Sequence, residues 1–185
     1  TGHPNKKLFK AKVFLSLETI MPKFAANLMY LFQEVPLMER FSKAKQHGFS
    51  AVEYQFPYAN IKSFKNKLET TELELVLINA PAGNWEHGER GLAAIPGRES
   101  DFLDTLYIAR DAALTLNTQF VHIMAGVIPQ YIYRKKAEKV FILNLQKAAD
   151  FFQRYELNIL IEPLNDKDVP GYFLNRLKNA TTILR

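Results

Sequence analysis

Polar residues stand where short apolar runs end: Asn27, Glu53, Asn79, His122 and Glu162. Carboxylates, amides and an imidazole brought together suit proton transfer, with a carboxylate as base and the others orienting a small polar substrate. Glu162 is the most telling of them. It follows the apolar run 157–161 and precedes Pro163, and a carboxylate in that setting is costly to bury without a cation or hydrogen-bond donor. The others each have a plainer alternative. Asn27 can bond strand-end backbone, Glu53 can pair with a lysine at a rim, and His122 can be a satisfied core histidine. A Gly- and Pro-rich stretch, residues 80–97, brings Trp85, Glu89 and Arg90, with Arg98 just beyond. It reads as a lid over a site or as a packed surface loop.

The elements that would position these residues follow from hydropathy patterning. Strands are expected at residues 24–28, 50–54, 73–79, 119–124 and 157–162. Helices are expected between them: one from Pro36 to Gly48, one through Ile61, Phe64 and Leu68, one at Glu99–Leu116, one over residues 133–155, and a last at 173–184. Five successive strand–helix units predict a parallel sheet with helical crossovers. Alternation places residues 73, 75, 77 and Asn79 on one strand face. It likewise groups Phe120, His122 and Met124, and Asn158, Leu160 and Glu162. The polar members then converge at the carboxyl end of one sheet, where parallel α/β architectures bind ligands. An open doubly wound sheet and a (β/α)8 barrel both satisfy this pattern. The first strand is followed by Met29-Tyr30-Leu31-Phe32 without glycine, and no P-loop motif occurs, which argues against a nucleotide or other organic cofactor.

Composition narrows the classes further. The 185 residues include 48% hydrophobic and 23% charged residues and no cysteine, an ordinary globular composition without a disulfide framework or thiolate site. Absence of cysteine leans towards the cytoplasm, and no apolar run is long enough to cross a membrane. Of the net charge of +5, Lys6, Lys7, Lys10 and Lys12 against Glu18 supply +3. The body is therefore close to neutral, and a basic surface for nucleic acid is not expected. Residues 1–20 read as a leader or extension outside the domain, and 21–185 as the domain.

Several segments together resemble the hydroxypyruvate isomerase family, which includes the similar 2-oxo-tetronate isomerases. They are Phe24-Ala25-Ala26-Asn27-Leu28; Gly48-Phe49 with Val52-Glu53-Tyr54 and Phe56-Pro57-Tyr58; and Pro81-Ala82-Gly83-Asn84-Trp85. Gly88-Glu89-Arg90-Gly91, Ile95-Pro96-Gly97-Arg98-Glu99, Leu160-Ile161-Glu162-Pro163-Leu164-Asn165 and Val169-Pro170-Gly171-Tyr172 continue the match in consistent order. The resemblance implies a xylose-isomerase-like (β/α)8 TIM barrel, of which this chain holds about the first five βα units. It implies interconversion of hydroxypyruvate and 2-hydroxy-3-oxopropanoate through an enediolate, within glyoxylate and carbohydrate metabolism. Glu162 maps onto the first of the family's two acid–base glutamates and onto a ligand of a divalent metal such as magnesium. Position and charge add Asn79 and His122 as substrate contacts and Arg90 or Arg98 as partners of the substrate carboxylate.

The resemblance also sets an expectation of incompleteness. A (β/α)8 domain usually runs to about 250 residues, and the family's second glutamate and most metal ligands would lie in later units. A truncated product, a partial record, or closure of the sheet by homo-oligomerisation would each account for this. On that reading the 185-residue chain alone has little or no activity. A sugar epimerase on the same barrel and a non-catalytic binding or assembly module are the alternatives. An abasic-site endonuclease fits poorly, since the body carries only His47, His87 and His122 and little net charge.

Overall fold

A computed structural model describes residues 22–184; the leader assigned to residues 1–20 lies outside them. The strands are β1 (Ala25–Asn27), β2 (Ala51–Glu53), β3 (Glu74–Asn79), β4 (Phe120–His122) and β5 (Asn158–Leu160). They form one all-parallel sheet in the order β1-β2-β3-β4-β5. The crossovers carry α1 (Leu37–Gln46), α2 (Ile61–Thr71), α3 (Glu99–Leu116) and α4 (Arg134–Gln153), and α5 (Leu177–Ile183) follows β5. Sequential strand order with a helix after each strand is the pattern of a barrel wall rather than of a doubly wound sheet, whose strand order reverses.

One face of the sheet is closed by the helices. Ala26, Val52, Ile78 and Val121 point from the strands into a core with Phe41, Phe64, Phe102, Phe141 and Phe152, all buried. The helical stripes anticipated from the sequence supply this layer, and α3 runs over Glu99–Leu116 as expected. Its first turn holds Glu99 and Asp101, which suit the positive helix end. Its last turn stops at Asn117, whose left-handed φ of 53° ends the helix.

Two expectations need correction. Residues 73, 75, 77 and 79 do not share one face. The register pairs Val52 with Leu75 but Glu53 with Leu77, so β3 carries a bulge that skips Val76. The bulge reverses the alternation: Leu73 and Leu75 join the helix-side core, while Leu77 and Asn79 line the opposite side. The last helix starts at Leu177, not at residue 173. Phe173 and Leu174 are buried, and their backbone is already engaged: Phe173 N–H donates to Gly126 O at 2.9 Å, and Leu174 O accepts from Leu164 N–H at 3.0 Å. Those bonds compete with a helical turn and win.

The other face of the sheet is only partly covered. Phe120 and Leu160 are 37% and 41% exposed there. No described helix is long and apolar enough to cross a membrane.

Candidate active site

The carboxyl ends of all five strands meet at a cavity of about 380 Å³. Asn27, Glu53, Asn79, His122 and Glu162 line it, joined by Tyr30, Tyr54 and Gln55. Register does the assembling: Asn27 pairs with Glu53, and Asn79 with His122, across neighbouring parallel strands. Each pair also bonds through its side chains. Asn27 Nδ2 donates to Glu53 Oε1 at 2.5 Å, and His122 Nδ1 lies 3.2 Å from Asn79 Oδ1.

His122 is buried, and burial pushes its imidazole down to about 4. It is therefore neutral near pH 7, and the 3.9 Å approach of Nδ1 to Glu162 Oε2 is not an ion pair there. An amide oxygen only accepts, so Asn79 Oδ1 selects the tautomer with the proton on Nδ1. Asn79 is held in turn, with Nδ2 directed at Met124 Sδ at 3.6 Å and its carbonyl taking the Tyr58 hydroxyl. His122 Nε2 is left as a buried acceptor without a hydrogen-bond partner among the described residues.

Glu162 faces this neutral pair from beyond the end of β5, with its side chain 65% exposed towards the open cavity. Partial burial, followed by the charge of Glu53, raises its carboxyl above the usual range. No cation forms an ion pair with Glu53, and only neutral His122 approaches Glu162, among the described residues. The cavity thus combines two carboxylates, one of them held closer to neutrality, with a polar but uncharged imidazole. That is an acid–base environment.

The arginines are elsewhere. Arg98 pairs with Glu89 at 2.5 Å and with Asp101, and it lines a separate cleft beside residues 127–132. Arg90 lies over the Trp85 ring at 3.7 Å and donates to the carbonyls of Trp85 and Glu89. Neither is among the residues lining the strand-end cavity. Sequence reading had not singled out Tyr30, Tyr54 or Gln55. Gln55 was within reach, because it continues the alternation of Glu53 two residues on. Tyr30 sits in a turn, where no periodicity points to it.

A family model described as xylose isomerase-like TIM barrel matches residues 41–185. The chain belongs to that family. It is 40% identical over 166 residues to a 2-oxo-tetronate isomerase of Cupriavidus necator, covering 89% of this chain and 64% of the relative. It is 38% identical over 165 residues to the hydroxypyruvate isomerase of Escherichia coli K12, again covering 89% and 64%. Among solved structures, one described as AP endonuclease, family 2, from Brucella melitensis superposes with a TM-score of 0.85 at 42% identity, over 89% of this chain and 64% of that one. The chain thus spans somewhat under two thirds of the length of these relatives. The barrel resemblance read from the sequence is borne out, and the five-stranded wall agrees with part of such a barrel.

Proposed function

We propose that the strand-end cavity belongs to an isomerase that interconverts hydroxypyruvate and 2-hydroxy-3-oxopropanoate. The observation that carries this reading is Glu162: a carboxyl open to a cavity, raised above its usual range by partial burial, with no cationic partner among the described residues. Moving a carbonyl by one carbon needs a proton taken from C3 of hydroxypyruvate and a proton delivered to C2, while the hydroxyl proton passes from the C3 oxygen to the C2 oxygen. Glu162 is the base for the first transfer in this reading. Neutral His122, fixed by Asn79, keeps the cavity polar without bringing a charge that would lock Glu162 in its ionised form. The relatives' names support both this substrate and 2-oxo-tetronate, and the cavity lining favours neither.

Hydroxypyruvate is an anion, and this cavity is lined by Glu53 and Glu162 without Lys or Arg. A cation is needed to balance those charges. Hard carboxylate oxygens suit magnesium, and Glu162 is the residue that would hold it; bound there, it would stabilise negative charge on the substrate oxygens. No three His, Asp or Glu side chains among the described residues converge as a ligand set, so a magnesium ion at Glu162 would need further ligands. We accordingly expect the 185-residue chain to exchange the C3 proton but to complete turnover slowly or not at all.

The abasic-site endonuclease reading is weaker. The cavity offers one histidine and no basic lining, whereas gripping a phosphate backbone takes several cations.

The test is solvent exchange. Hydroxypyruvate is incubated in D2O with the mass-verified protein, with and without magnesium, and deuterium at C3 is read by NMR. Exchange above the solvent rate, reduced by roughly 100-fold or more in Glu162→Gln, is expected. An unchanged rate in that variant would remove Glu162 from the chemistry.

A further inference from the structure

Glu53 is a carboxylate that the proton transfer just described does not use. It closes β2 half-buried and lines the same cavity as His122 and Glu162. The sequence allowed it to be a rim residue neutralised by a lysine, but no lysine or arginine forms an ion pair with it among the described residues. Its partner is an amide instead.

That amide is itself fixed. Asn27 Oδ1 accepts the Met29 N–H at 2.9 Å, which turns Nδ2 towards Glu53 Oε1 at 2.5 Å. The backbones are tied as well, with Leu28 N–H donating to Glu53 O at 3.0 Å. One carboxylate oxygen is therefore held by a locked donor. The other, Oε2, has no hydrogen-bond donor among the described residues. An ionised carboxylate without a cation is stable in a half-buried position only when something else donates to it. Water does so when the cavity is empty, and a ligand displaces that water when the cavity fills.

We propose that Glu53 Oε2 accepts the hydroxyl of the substrate, and that Asn27 is the positioning residue that aims Glu53 at it. This rests on the reading of the cavity as a site for a small hydroxy-oxo acid. The chemistry selects the hydroxyl. Hydroxypyruvate offers a carboxylate, a ketone and a hydroxyl; the first is repelled by Glu53, the second only accepts, and the third alone donates. Holding the C3 hydroxyl would fix which of the two C3 hydrogens meets Glu162. Glu53 and Glu162 line the same cavity.

The experiment compares hydroxypyruvate with pyruvate, which differ only by that hydroxyl, so the shared carboxylate and ketone cancel. Dissociation constants are measured by NMR titration for the wild-type protein, for Glu53→Gln and for Asn27→Asp. Glu53→Gln keeps an oxygen for Asn27 but removes the charge. Asn27→Asp keeps the acceptor for Met29 and removes the donor that holds Glu53. The wild type is expected to prefer hydroxypyruvate. Glu53→Gln should narrow that preference by roughly tenfold, the scale of a hydrogen bond to a charged group, and Asn27→Asp should narrow it less. Circular dichroism and urea midpoints confirm that each variant folds; should Glu53→Gln fail to fold, Asn27→Asp carries the test alone. An unchanged ratio in the folded variants overturns the proposal. So does weakened magnesium binding with an unchanged ratio, which would make Glu53 a metal ligand instead. A wild type that exchanges the C3 proton but binds both acids equally sinks this inference and leaves the proposed function standing. Absence of both exchange and binding sinks the two together.

Discussion

In the loop that follows β3, Glu89 Oε2 accepts the Asn84 N–H at 2.5 Å and Oε1 meets Arg98, which also reaches Asp101, while Arg90 lies over the Trp85 ring. At the strand ends, Glu53 has one amide donor, Glu162 has no cation, and His122 Nε2 has no partner among the described residues. Both regions are rich in polar groups, and they use them in opposite ways. The loop consumes its charges internally, which fixes its shape. The strand ends leave theirs facing a cavity. Polar groups left open in this way cost stability, and such groups concentrate where a ligand or a proton completes them. The contrast separates scaffold from site more sharply than residue type does, because in the sequence the arginines were candidates for the substrate carboxylate.

The largest expected effect attacks the scaffold. Gly91 has a φ of 113°, and a Cβ placed there would collide with the backbone of Met124. The loop backbone closes here, with Gly91 N–H donating to Ala82 O at 2.9 Å. Gly91→Ala combines backbone strain with a clash that backbone atoms cannot relieve by changing rotamer, and it should cost roughly 3 kcal/mol. A urea midpoint close to wild type would show that the loop is looser than its bonding implies.

A second effect, of similar or smaller size, belongs to the strand ends. Burial holds His122 neutral down to about 4 against an ordinary value of 6.5. The sign follows from which state binds the proton. Below pH 6.5 the unfolded chain takes it up and the folded chain does not, so this contribution is complete above pH 6.5 and is lost as the pH falls towards 4. The loss amounts to about 3 kcal/mol at most. Glu162 is raised and acts with the opposite sign, stabilising the fold in acid and losing that contribution as the pH rises. Urea midpoints from pH 7 to pH 4 are therefore compared between Glu162→Gln and Glu162→Gln with His122→Gln. The double variant should show the flatter profile; parallel profiles would mean that water reaches His122 freely.

The sequence carried the sheet, the order of its elements and the convergence of Asn27, Glu53, Asn79, His122 and Glu162, because period-two alternation and strand ends are local signals. It did not carry the bulge in β3. Leu73, Leu75 and Leu77 are the same residue type, and only the pairing with Val52 and Glu53 shows where the chain skips Val76. The start of α5 was lost similarly. Phe173 and Leu174 are apolar and stand just before the helix, but bonds to Gly126 and Leu164 from elsewhere in the chain keep them out of it. Arg90 and Arg98 were read by position and charge. Whether a guanidinium is free or already paired is a tertiary fact, and here both are engaged by the loop itself.

The smallest expected effect tests whether scaffold and site separate cleanly. Partial burial pulls the Glu89 carboxyl up, but the Asn84 N–H and Arg98 outweigh it and hold the group below the usual carboxylate range. A depressed carboxyl contributes stability above its unfolded value and loses it as the pH falls. Arg98 is partly exposed, so solvent screens the pair, and Glu89→Gln should cost only about 1 kcal/mol near pH 7, with little difference from wild type in strong acid. Its preference for hydroxypyruvate over pyruvate should match the wild type. Glu53→Gln should do the reverse, changing the preference with little change in midpoint. If Glu89→Gln shifted the ligand preference as much as Glu53→Gln, the loop would be acting on the cavity after all, because a group whose charge is wholly consumed by its neighbours has no reason to report on a hydroxyl it does not touch.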